Sequence, residues 1–541
     1  MFLKNKISIV FTACFLSAAL AGAQTELPDE NVSIIKDFDA RLLESNKIQV
    51  SPTLPDLDTT NKVLDYMVPP KQAVVSYDNP TLRPIGMRKG KKEEVYNGYL
   101  KAGAGVPTSF YGEAGYYLQP SDLFDAKLWL RHHSAKSKAL ENQQFFDNDV
   151  RLNTNIFVNE NVVVAGNIGY SFDRIHYYGY DHDSLSFDAE GVRQDYKLFT
   201  MGARVFNGER NDADINYFVE PQLYLMKDFF SNKETGFDFR LGATKWFAEK
   251  HSFDMVIRTD LTSYNDTVKQ PLNNIYLQPS FTFHADFLKV KVGGNFASNR
   301  DIFYVFPDAE INLRIFGDGF QVFAGASGDL RKNTFRSMST YNPFLDIRAS
   351  ELANTQYRDY YAGLKGNLGW LEYSGRVTYG QARDMALYQA VFQDNGITRF
   401  KTMYDTLDIF NLKGTVKLIP FKDLVVSGTF SSTVFDPRNE LKAWGVPNIE
   451  GNFGAVWSLL EGKAQLKGNV YLADQISFRG PDGLVDKTGT LVDLSVGGSY
   501  YFAKNIGVFL DVNNMLNNKR ERWYDYPMFG MNILGGITAR F

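Results

Sequence analysis

From about residue 95 to the C-terminus, apolar and polar residues alternate with a period of two. Phe529, Met531, Ile533, Ile537, Ala539 and Phe541 fall on one face, and Gly530, Asn532, Gly536, Thr538 and Arg540 on the other. Ile506, Val508, Leu510 and Val512 alternate with Gly507, Phe509, Asp511 and Asn513, and Leu466, Gly468, Val470 and Leu472 with Lys467, Asn469 and Tyr471. Successive side chains of a strand point to opposite faces. One apolar and one polar face, kept up over roughly ten residues, is the pattern of a strand in a membrane barrel. A soluble sandwich alternates too, but its strands are shorter and its polar face looks to water.

The connections sharpen this. Reading strands in order gives about 22, the even number that a closed outer-membrane barrel requires. Every second connection is short: near 120–122, 159–161, 248–250, 317–319, 369, 420–422, 461–463 and 503–505. Those between them are mostly long: near 134–144, 178–193, 265–273, 332–357, 382–399, 436–447, 477–488 and 517–527. Tight turns on one side and long loops on the other predict periplasmic turns and extracellular loops, with both termini periplasmic. The stretch 332–357 is expected to be open to protease on intact cells. The predicted fold is an all-β transmembrane antiparallel barrel over 94–541, preceded by a short extension.

The first residues read differently. Lys4 and Lys6 precede an apolar run over 7–20, and Ala21-Gly22-Ala23 supplies small residues for cleavage, so 1–23 reads as an export signal. Residues 24–93 form a separate extension, periplasmic or lumenal. It holds a short amphipathic helix over 32–46, prolines at 52, 55, 69, 70, 80 and 84 that favour extended chain, and the basic run 88–92.

Composition supports many short strands: 44 Gly, 30 Tyr and 43 Phe, with 15% aromatic residues. The single cysteine, Cys14, lies within the export signal, so the mature chain has no thiol for a disulfide or a thiolate metal site. A net charge of −4 gives no reason to expect nucleic acid as a partner.

The C-terminal stretch Val512-Asn513-Asn514-Met515-Leu516-Asn517-Asn518-Lys519, then Trp523-Tyr524-Asp525-Tyr526-Pro527 and a last strand ending in Phe541, resembles the end of a TonB-dependent receptor. The resemblance implies a 22-strand barrel and transport of a solute too large for general porins. It also implies that Phe541 is the signal read by the outer-membrane insertion machinery. A full plug is not found in 24–93, so the chain resembles the plug-poor receptor-like barrels of Bacteroidota, which leaves coupling to TonB open. The partners implied are outer-membrane lipids, the insertion machinery, and a separate plug, surface lipoprotein or periplasmic protein. A structural or assembly subunit of an outer-membrane complex is the alternative.

Candidate chemistry is sparse. His132 and His133 are adjacent on a strand and point to opposite faces, which does not suit one metal. His176, Asp181, His182 and Asp183 occupy a Tyr-rich loop and read as solvated rim rather than ligands. Tyr177, Tyr178, Tyr180, Trp523, Tyr524 and Tyr526 have two readings: stacking platforms for a ligand at the extracellular rim, or part of the aromatic girdle at the membrane interface. Gly480-Pro481-Asp482-Gly483 is turn chemistry. No phosphate-binding loop, nucleophile elbow or zinc-protease string occurs, so neither enzyme activity nor a cofactor or metal is expected.

Overall fold

The computed structural model describes residues 96–541 apart from 160, 267, 268, 300 and 481, so the readings over 1–93 lie outside the described residues. Twenty-two antiparallel strands form one closed sheet. The first, Gly98–Val106, pairs with the second, Ser109–Ser121, and with the last, Asn532–Arg540, which completes the ring. Closure leaves no edge and satisfies the backbone in lipid, where water cannot.

Each strand sorts its side chains by pleat. In Lys269–His284, Ile275, Leu277, Phe281 and Phe283 are exposed outward, while Asn274, Tyr276, Ser280 and Thr282 are buried inward. Ile506, Val508 and Leu510 likewise face out, with Phe509 and Asp511 turned in. Such a continuous exposed apolar surface is untenable in water and natural in hydrocarbon. Within the lumen, charges pair both along a strand and across one or two strands. Arg131 bridges Asp147 and Asp149, each at 2.7 Å; Arg258 meets Asp238 at 2.8 Å and Asp260 at 3.0 Å; Asp511 holds Lys101 at 3.0 Å and Lys467 at 2.9 Å.

The two ends differ as the alternation of connections predicts. At the turn end no connection is longer than 208–214. At the other end, 177–192, 334–352, 438–448, 474–490 and 514–531 are long. Two expected loops prove to be strand. The connection expected over 265–273 shrinks to 266–268, because Lys269–His284 starts early and Asn274 is tied into it by bonds to Asn354 and Tyr276, both 2.9 Å.

The second difference shapes the molecule. Leu371–Phe392 and Thr398–Phe421 run for 22 and 24 residues, and only 393–397 connects them. A tilted strand crosses the hydrocarbon in about 9–11 residues, as Ile449–Leu459 and Ala464–Ala473 do with 11 and 10. The long hairpin therefore overshoots by about a dozen residues, or roughly 40 Å at 3.3 Å per residue. A register shift between Ala382 and Met385, with Asp384 at φ 54°, marks where it leaves the barrel wall.

Candidate functional site

The overshooting hairpin is a post on which the long loops assemble. Its tip lies on the 15th and 16th strands of the ring, whereas 177–192 joins the 5th and 6th. These positions are ten strands apart in a ring of 22, which puts them on opposite walls. Yet they touch: Thr398 N donates to Gly179 O at 2.7 Å. The chain therefore bridges the mouth of the barrel at this end.

Other loops dock on the same post. Asp346 N donates to Phe400 O at 2.7 Å and Phe400 N to Phe344 O at 3.2 Å, which fastens 334–352. That loop contains a helix, Phe335–Tyr341, whose N-cap Thr334 forms a capping box with Ser337. Its first amides also donate to the Glu234 carboxylate, Phe335 N at 2.6 Å and Arg336 N at 3.1 Å, so an anion meets the positive end of the helix. Asp405 accepts from the backbone of Asn439 and Glu440, both reached within 3.0 Å, and so anchors 438–448. Trp444, fully buried, packs there on Leu387 and Leu407.

The six aromatic residues singled out from the sequence converge in this cap. Tyr177, Tyr180, Trp523 and Tyr526 are buried in one apolar cluster with Phe335, Phe344 and Phe400, and Tyr178 and Tyr524 pack against it. Tyr526 is the keystone. Its ring stacks on Phe344 with centroids 3.6 Å apart, meets Tyr178 edge-on at 5.0 Å, and its hydroxyl donates to Thr398 O at 2.6 Å. Trp523 sits edge-on to Tyr388 and to Phe400. These rings form the core of a loop assembly; they do not lie on the outward face of the strands as a girdle would. Burial pushes the Tyr177, Tyr178 and Tyr526 phenols far above their ordinary range, so they stay neutral donors. Tyr524 is pushed up to about 12 by burial and then by the Asp525 charge. Asp525 is itself raised by burial, an effect that the hydrogen bond from Thr398 Oγ1 opposes.

The histidines are engaged separately. His132 bonds Asn148 and Ser134, His133 packs edge-on to Tyr111 and Phe145, His176 contacts Gln144, and His182 reaches Tyr178 O while lying over Tyr180. Among the described residues no three histidine or carboxylate groups converge as a metal site. Phe541 is exposed, its backbone pairs with Gly98 in both directions, and its ring lies on Tyr116.

Sequence reasoning missed the post itself. Asn395-Gly396 between two strand-forming runs is the hairpin signal that could have found it, and Gly396 does adopt φ 82° in the turn. It also missed Phe335, Phe344 and Phe400, whose partners come from distant strands and leave no local mark.

No protein-family model and no curated protein matches the chain. Solved structures do. The chain resembles the siderophore receptor PirA from Acinetobacter baumannii at a TM-score of 0.62 and 9% identity, over 83% of this chain and 81% of that one. The outer-membrane ferripyoverdine receptor of Pseudomonas aeruginosa gives 0.59 and 11%, over 83% and 72%, and the copper transporter OprC 0.60 and 11%, over 83% and 84%. The fold shared with these receptors is the closed 22-strand antiparallel barrel.

Proposed function

We propose that the chain is an outer-membrane barrel that binds and passes a solute too large for general porins, with the loop cap as its gate on the cell surface. The observation that carries this reading is the bond from Thr398 to Gly179 across the mouth. A barrel of this width cannot be filled by its own wall side chains, and packed loops cross its far end. The paired charges of the lumen suit a polar solute. In this reading 1–23 is an export signal, 24–93 works in the periplasm or the lumen, and the barrel begins near 94 with both termini periplasmic. Lipids and the insertion machinery are its necessary partners, the latter reading Phe541. A separate plug, a surface lipoprotein or a periplasmic protein would complete the route. The six cap aromatics hold the gate shut, and their ring faces become available to a solute when it opens.

Single-channel recording in planar bilayers tests this. The intact chain should be nearly silent, and a form with 177–192 replaced by a short turn should conduct, most of all when 24–92 is also removed. If every form is silent and no solute binds, the transport reading fails. A silent barrel that co-purifies with a stoichiometric partner in mild detergent would instead mark a structural or assembly subunit.

A further inference from the structure

We propose that the cap contains a binding site for a small hydroxy- or amino-carboxylate, gripped by the guanidinium of Arg399. A cavity of about 270 Å³ lies between the loops, walled by Tyr177, Asp228, Phe230, Asn232, Arg348 and Arg399 among others. The Arg399 guanidinium carbon is 4.3 Å from the centre of the Tyr177 ring and 5.4 Å from that of Phe230. Arg348, on the same wall, is 5.0 Å from Phe230. The rings take up the flat faces of these cations, and the N–H edge is what remains for bonding.

That edge has no acceptor. The Arg399 side chain makes no hydrogen bond among the described residues, and its Nε is buried without a partner. The nearest carboxylate oxygen, on Asp346, is 3.7 Å from Nη1, outside hydrogen-bond range. The other oxygen of that carboxylate, Oδ1, accepts from Arg348 N at 3.2 Å. Asp228, the other acid of the wall, accepts from Asn232 N and Nδ2 at 2.8 and 2.7 Å and from Gln194 at 3.3 Å. A guanidinium whose Nε is buried and unpaired is costly, and a planar carboxylate matches its fork with two parallel bonds. Asn232 Oδ1 is a second buried atom of the wall without a partner, and it is an acceptor. A hydroxyl or ammonium group on the acid would satisfy it. Arg348 stands exposed and also borders a hollow of about 510 Å³ with Lys269, Gln270 and Ser350, which provides the approach.

This site depends on the geometry of the cap and not on transport: a barrel that never conducts could still hold the acid, and a failure to bind would leave the conductance test untouched. Isothermal titration of the full chain in detergent with lactate is the direct test, with propionate as the acid that lacks the hydroxyl. Lactate should bind once per chain and more tightly than propionate. Arg399→Lys keeps the charge but loses the fork and should weaken lactate by at least about tenfold; Arg399→Gln should abolish binding. Because Arg399 also braces the cap, Arg348→Gln at the exposed edge is the second variant, expected to weaken lactate several-fold with cap amide protection unchanged. Lactate that does not bind, or that binds Arg399→Lys and Arg348→Gln as well as the parent, would overturn the proposal.

Discussion

Replacing Tyr526 with alanine should unlatch the cap and leave the barrel standing. The ring is only 2% exposed, stacks on Phe344, abuts Tyr178, and closes a hydrogen bond to Thr398 O. Deleting a buried aromatic side chain costs about 3–5 kcal/mol, and the lost hydroxyl adds about 1 kcal/mol. A change of about 4 kcal/mol multiplies the open population by nearly a thousand, at 1.4 kcal/mol per tenfold. Tyr526→Phe keeps the ring and loses the bond alone, so its effect should be about fivefold. Hydrogen exchange of the full chain in detergent reads this directly, through the amides of Thr398 and Asp346 that tie the cap together. Amides in Lys269–His284 serve as the barrel control. If Thr398 exchanges at the parent rate in Tyr526→Ala, the ring does not hold the cap. If barrel amides accelerate equally, the cap and barrel are one cooperative unit and the idea of a separable gate is refuted.

Three further outcomes follow from the same geometry. A Cβ on Gly179 would sit 2.5 Å from Tyr526 Cε2, against a ring pinned on both sides, so Gly179→Ala should loosen the cap by about 1–3 kcal/mol. The same change should cost almost nothing in a Tyr526→Ala background, which a double-mutant exchange cycle measures. Burial raises Asp525, so its acid form is favoured in the folded cap: the stabilisation is full below the ordinary aspartate range and is lost as pH rises through the raised value. The Asp525 contribution to cap protection, corrected for intrinsic exchange, should therefore fall as pH rises from about 4 toward neutral; Asp525→Asn should remove that contribution, while Glu521, Asp228 and Glu234, which burial also raises, still act in the same direction and Asp405, held low by the backbone amides of Asn439 and Glu440, acts in the opposite one. Trypsin on intact cells should cut at the exposed Lys442 and Lys487 and spare Lys332 and Arg336, because the latter belong to a packed loop with Lys332 bonded to Asp260.

The barrel was legible in the sequence because its rule is local. A strand with lipid on one face and lumen on the other must alternate, so each ten-residue stretch carries its own evidence, and the turn-end connections fell where turn residues stand. The cap obeys no such rule. Tyr177 and Tyr526 lie in segments that read as rim loops, and nothing near either residue shows that the other packs beside it. Residues 382–399 failed for a related reason. Beyond the membrane both faces of the hairpin are covered by loops, so Ala386, Leu387 and Tyr388 are all buried and the two-residue period that marks a lipid-facing strand disappears. The unpartnered Asn232 Oδ1 and Arg399 Nε of the cavity wall are equally silent in sequence, since their meaning lies in the partners they lack.

The pairing of Gly98–Val106 with Asn532–Arg540 has a consequence for biogenesis. Those segments are separated by almost the whole barrel, so the bond that closes the ring is also the most non-local contact in it, and loop-closure entropy defers such contacts to the end. Until the last strand arrives, the nascent sheet presents two raw margins, each a template for pairing with other chains. Under the proposed function, productive assembly needs a surrogate neighbour to occupy those margins and then yield them, and Phe541, exposed just after the final strand, is the proposed handle by which that exchange is begun.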